Sequence, residues 1–148
     1  MTPNAKPSEH MAVLATLDPA SVAASTVVTT WVPVKNFLAL MALIETGVLG
    51  ASATLDAKLR QATDAAGTGA KDITGKSLVQ IVKATGDNKQ AFINMKVADL
   101  DTEGGFAFVA LSVTIGTAAS IFGAQLFGMF PRFEDAAAFN QAAVVQNV

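Results

Sequence analysis

At 148 residues, with 10 basic and 12 acidic side chains and no cysteine, the chain has the size of one domain. A domain of this length buries about 68–70% of the surface its unfolded chain exposes, so a core can form without metal or disulfide staples. The composition excludes a disulfide framework and thiolate metal sites, and the scattered Lys and Arg exclude the clustered cationic surface that nucleic-acid binding needs.

Apolar residues make up 51% of the chain and charged residues 15%, against about 25% charged in an average soluble domain. So few charges leave much of the surface without a polar cover. This favours a surface partly covered by neighbouring subunits, since exposed apolar patches mark contacts. The lack of cysteine fits folding in a reducing cytoplasm, and the first ten residues lack the basic-then-apolar layout of a signal peptide.

In chain order, residues 1–24 read as an N-terminal arm. Pro3, Pro7 and Pro19 interrupt it, while Met11, Val13, Leu14 and Leu17 give it apolar contact points. Asp18 followed by Pro19 places one helical turn over residues 20–24. From Ser25 the pattern turns β: residues 26–32 are dense in β-branched side chains around Trp31, with Pro33 closing the run. Residues 37–46 form a strand apolar on both faces, hence central or contact-forming. Residues 54–63 alternate, with Leu55, Ala57, Leu59 and Gln61 on one face and Asp56, Lys58, Arg60 and Ala62 on the other. After a glycine-rich turn over 64–70, residues 71–82 return as a strand with a bulge or bend at Gly75. Residues 91–97 are a further strand, setting Phe92, Asn94 and Lys96 against Ile93, Met95 and Val97.

The stretch 106–130 carries no charge and is long enough to span a bilayer. Yet Val109, Leu111, Val113 and Ile115 alternate with small or polar residues, and a small-residue break follows at 116–120. Two strands joined by a turn are expected, not a membrane-spanning helix. In the second, Phe122, Leu126 and Phe130 share one face, and Phe127 and Met129 the other. Residues 134–148, with Phe139, Val144 and Val145, read as a second arm. The fold expected over 25–133 is an all-β sandwich of seven to eight strands, jelly-roll or immunoglobulin-like.

Motifs with chemical potential are sparse. Residues 70–77 match a relaxed phosphate-loop pattern ending in Lys76 and Ser77, but alternating, β-rich flanks make this a hairpin and leave nucleotide binding a distant alternative. His10 is the only histidine; set in a proline-bearing arm, it is expected to be exposed and idle. Asp99, Asp101 and Glu103 alternate in one loop without the remainder of a calcium site and read as a solvated turn. No catalytic residue, cofactor or metal ligand is expected, and an enzyme is not. Trp31 and the nine phenylalanines are assigned mostly to the core. Apolar contacts for assembly are placed at Met11, Val13, Leu14, Leu17, Phe122, Leu126, Phe130, Phe139, Val144 and Val145.

The run 53–77 (Ala-Thr-Leu-Asp-Ala-Lys-Leu-Arg-Gln through Lys-Asp-Ile-Thr-Gly-Lys-Ser) resembles a strand–turn–strand of small tailed-bacteriophage structural proteins. Residues 88–95, Gly104-Gly105 before Phe106, and Pro131-Arg132 are similar to the same group, so the resemblance spans about 26–132. It implies a virion protein, foremost a capsid decoration (cement) protein that sits on the outer shell. Its partner would be the major capsid protein, and it would itself be a homo-oligomer, trimer or dimer, with no nucleic acid or membrane involved. In that picture both arms lie across neighbouring subunits and order on binding. A tail-tube or head–tail joining protein is the alternative.

Overall fold

In the computed structural model, which describes residues 4–148, the chain folds back on itself about the turn at 63–70. Ten strands form among the described residues: β1 (Met11–Val22), β2 (Ser25–Val28), β3 (Val32–Pro33), β4 (Phe37–Thr46), β5 (Thr54–Ala62), β6 (Lys71–Ser77), β7 (Ile81–Val82), β8 (Gln90–Lys96), β9 (Phe108–Gly116) and β10 (Ser120–Pro131). Helix is limited to single turns such as α1 (Pro7–His10) and α2 (Lys83–Gly86).

Pairing is nested. β5 pairs with β6, β4 with β8, β2 with β9 and β1 with β10, all antiparallel. One long hairpin, rolled up so that β10 also meets β4 and β9 also meets β5, gives two sheets of order β1-β10-β4-β8 and β2-β9-β5-β6. This connectivity is the jelly roll, and of the two sandwiches expected from the sequence it excludes the immunoglobulin-like one. The additional strands arise from interruptions. Thr29 lies between β2 and β3, yet its N–H donates to the Leu111 carbonyl and its Oγ1 accepts from the Leu111 N–H, both at 3.0 Å. β6 and β7 divide the expected 71–82 strand, with residues 78–80 between them. Gly75, at φ +74, lies in a wide bulge: Lys58 faces Ser77 and Arg60 faces Asp72, so residues 73–76 stand against Leu59 alone.

The core lies between the sheets. Leu40, Ala42 and Ile44 of β4, Ile93 and Met95 of β8 and Phe122 and Leu126 of β10 meet Leu55, Leu59, Leu111, Val113 and Ile115 from the second sheet. The uncharged stretch near the C-terminus is indeed two strands, β9 and β10. They are not a hairpin, however, because the chain crosses from the second sheet to the first between them.

Two expectations are corrected. Met11–Val22 is not an arm but an edge strand of the first sheet, paired with β10 from Met11↔Met129 to Val22↔Ser120. Ala12 and Ala15 are fully buried, and the helical turn expected after Asp18 is absent because the strand continues through it. Residues 1–3 of that expected arm lie outside the described residues. The C-terminal arm is likewise docked for half its length. Ala136 is fully buried, and Phe139 packs edge-on against Phe37 with ring centroids 5.4 Å apart. Beyond it, Asn140 Oδ1 accepts from the Val13 N–H and the Gln141 N–H donates to the Val13 carbonyl, each at 2.8 Å. The tail thereby occupies the free edge of β1, a protection that edge strands need. Residues 142–148 are mostly exposed.

Candidate assembly surface

Because side chains alternate along a strand, burying Leu40, Ala42 and Ile44 turns Ala39, Met41, Leu43 and Glu45 of β4 outward. Register carries this across the sheet. Met41 stands beside Phe127 and Asn94, Leu43 beside Gln125 and Phe92, and Val13 beside Phe127. Phe92 is 55% exposed and Ile121 45% exposed, while Phe127 is shielded by its neighbours on the same face. The middle of this face is therefore uncharged and largely apolar, with Asn94 and Gln125 its polar members. Its charges lie at the ends: Glu45 and Asp18 at one, Lys96 at the other. A groove of ≈ 290 Å³ crosses the acidic end over Gly123, lined by Thr16, Asp18, Leu43, Glu45 and Ile121. Gly123 is required there, since a Cβ would stand 2.9 Å from Pro19 Cγ in the bulge of β1.

The outward face of the second sheet is built differently. Asp72 accepts from Lys58 Nζ at 2.8 Å and Arg60 Nε at 3.0 Å. Thr26 and Thr114 share a hydroxyl hydrogen bond of 2.7 Å, and Gln80 donates to Asp56 at 2.8 Å. Lys71 pairs with Asp101 at 2.6 Å while lying over the Phe106 ring at 4.2 Å. These contacts hold carboxyls below their ordinary range: Asp72 chiefly through the Lys58 hydrogen bond, Asp101 through that of Lys71. Asp99 is held down first by the Lys96 backbone N–H and then by Lys76.

The residues singled out from the sequence divide accordingly. Phe122 and Leu126 are core and are corrected: their exposures of 2% and 0% leave nothing for a partner to touch. Leu14 and Leu17 pack on the same core. Phe139 is held by Phe37, whereas Val145 is exposed and Val144 half-buried. Met11 and Val13 lie on the outward face of β1, and Phe130, at φ +54, is exposed where β10 ends. The structure thus gathers Met11 and Val13 onto one surface but not the others. Leu43, Met41, Phe92, Glu45 and Lys96 were missed as a group. The signal for them was β4 being apolar on both faces. Nor are the phenylalanines mostly core: Phe92, Phe130 and Phe133 are exposed.

The motifs with chemical potential have structural roles. Residues 70–77 lead into and form edge strand β6, with no helix after them, and Lys76 pairs with Asp99 at 3.2 Å. Asp101 and Asp99 are occupied by lysines and backbone N–H groups. His10 closes α1 half-buried, not exposed as expected, and its Nε2 has no hydrogen-bond partner. Among the described residues no helix is long and apolar enough to cross a membrane, and no three His, Asp or Glu side chains gather as metal ligands.

No protein-family model matches the chain, and no curated protein matches it. Solved structures similar to it include the SPBc2 prophage-derived protein YomS, at 12% identity and TM-score 0.44 over 78% of this chain and 92% of that one. The cowpea mosaic virus top component aligns at 10% identity and TM-score 0.44 over 85% and 88% of the two chains. Broad bean stain virus aligns at 11% identity and TM-score 0.46 over 90% and 96%. Likeness at this level carries no functional argument, because one fold hosts many functions.

Proposed function

We propose that the chain is a non-enzymatic virion structural protein of the decoration (cement) type, which binds the major capsid protein on the outer shell and stabilises contacts between its subunits. One observation carries the assembly role: the outward face of the first sheet is uncharged and largely apolar at its centre, while the opposite outward face is closed by its own ion pairs. A protein working alone in water gains nothing from such a face, and exposed apolar patches of this kind mark contact sites. The shell as the place of assembly rests on the resemblance of residues 26–132 to tailed-phage structural proteins. The exposed, uncharged residues 142–148 supply a segment that reaches a neighbouring subunit, and attachment at many lattice points multiplies modest contacts.

The test mixes the purified protein with expanded phage shells and follows co-sedimentation and electron microscopy. The reading expects regular surface density and shells that disrupt at higher temperature. Bare shells, together with rings or tubes formed by the protein alone, would replace it with the tail-tube or head–tail reading.

A further inference from the structure

The apolar face has a charge layout that identifies a partner. Glu45 of β4 sits opposite Gln90, and Ala39, six positions earlier, sits opposite Lys96 of β8. Glu45 and Lys96 therefore mark opposite ends of adjacent strands, about 20 Å apart at the rise of a strand. Both side chains are exposed, and neither takes part in an ion pair among the described residues.

We infer that this face is a two-fold interface with a second copy of the chain, Glu45 of each copy pairing with Lys96 of the other. The inference rests on the assembly reading above and names the first partner of that surface. A two-fold axis lying in the interface and running across the strands, over Ala42, reverses strand direction in the partner. It carries each acidic end onto the partner's basic end, with a sideways offset of one strand spacing, about 4.8 Å, between the paired side chains across the gap between sheets. The same operation lays Met41 against the partner's Leu43 and Phe92 against the partner's Asn94. An axis along the strands would instead bring Glu45 onto Glu45 and Lys96 onto Lys96, and like charges so placed disfavour a complex. An isologous patch must be self-complementary in this way. Phe92, large, exposed and with few rotatable bonds, is the aromatic anchor such an interface needs, one residue from the axis on edge strand β8.

Sedimentation equilibrium of the full chain and of three variants tests this. The wild-type protein is expected to reach twice the chain mass. Glu45→Lys and Lys96→Glu should each weaken association at least about tenfold through new like-charge contacts, and the double variant should recover most of the loss. Unchanged melting temperatures would show that the variants fold. A wild-type chain that stays monomeric at high concentration overturns the inference, as does a dimer indifferent to both reversals. If the monomer nevertheless decorates shells, and Phe92→Ser abolishes that decoration, the capsid protein is the occupant: the inference falls and the assembly reading stands. A charge-dependent dimer that binds no shell keeps the inference and removes the decoration reading.

Discussion

The two outward faces of this sandwich use the same strand geometry to opposite ends. On the second sheet, Lys58 and Arg60 pair with Asp72, Gln80 donates to Asp56 and the hydroxyls of Thr26 and Thr114 bond across strands, so the face is complete in water. On the first, Met41, Leu43, Phe92 and Phe127 stand in the matching positions, with only the uncharged amides of Asn94 and Gln125 among them. Alternation alone does not make a polar exterior. It makes two sides, one closed by its own ion pairs and hydrogen bonds and one left largely apolar.

Substitutions should separate the two faces, and both from the core. The largest effect is expected inside. Leu126→Ala empties a fully buried site and should cost about 2–5 kcal/mol of unfolding free energy in urea titration; a cost near zero would return Leu126 to the role of an exposed contact. Next comes the tail. Phe139→Ala removes the edge-on partner of Phe37 and should cost between about 1 and 3 kcal/mol, with faster hydrogen exchange at the Val13 amide that Asn140 holds. Unchanged exchange at Val13 would mean that the tail does not guard the edge of β1.

Acid should act on the second sheet and its loops. Asp72, Asp99 and Asp101 have folded values below the ordinary 3.8. Their contribution to stability is therefore complete above that pH and is lost as the pH falls through the lower folded values. The melting temperature should be flat from pH 7 to 5 and decline below about pH 4; Asp72→Asn should flatten part of that decline. The smallest effect is expected for Lys58→Met, since an exposed ion pair contributes about 0–1 kcal/mol. It should also leave self-association untouched, unlike any change at Phe92.

Much of the fold was readable from alternation alone. β5, β8 and β9 alternate with period two, and the wide bulge at Gly75 lay where a glycine interrupts a strand. β1 was not readable, for a physical reason. Its pairing slips between Val13 and Ala15 and again between Leu17 and Ala20, so Ala12, Leu14, Ala15 and Leu17 point inward without a constant period. Pro19, tolerated within the second bulge, looked like a break. Deleting residues 1–24 would therefore not trim an arm but remove a whole strand and leave β10 unpaired on one side. The assembly face was half legible. β4 and β10 showed apolar residues on both faces, but a strand apolar on both sides does not say which side is the core. Only register against β8, with Phe92, Asn94 and Lys96 exposed beside β4, settles that Leu126 points in and Phe127 out.

The nested pairing also sets a timetable for synthesis. Among the described residues β1 has no partner strand other than β10, so a ribosome delivers this strand long before another can receive it. Until Met129 is made to face Met11, Val13 and its neighbours must wait unpaired, with the edge that Asn140 and Gln141 will later occupy still open. Closure over such separations is intrinsically slow, and the waiting strand is a segment for which holding chaperones would compete.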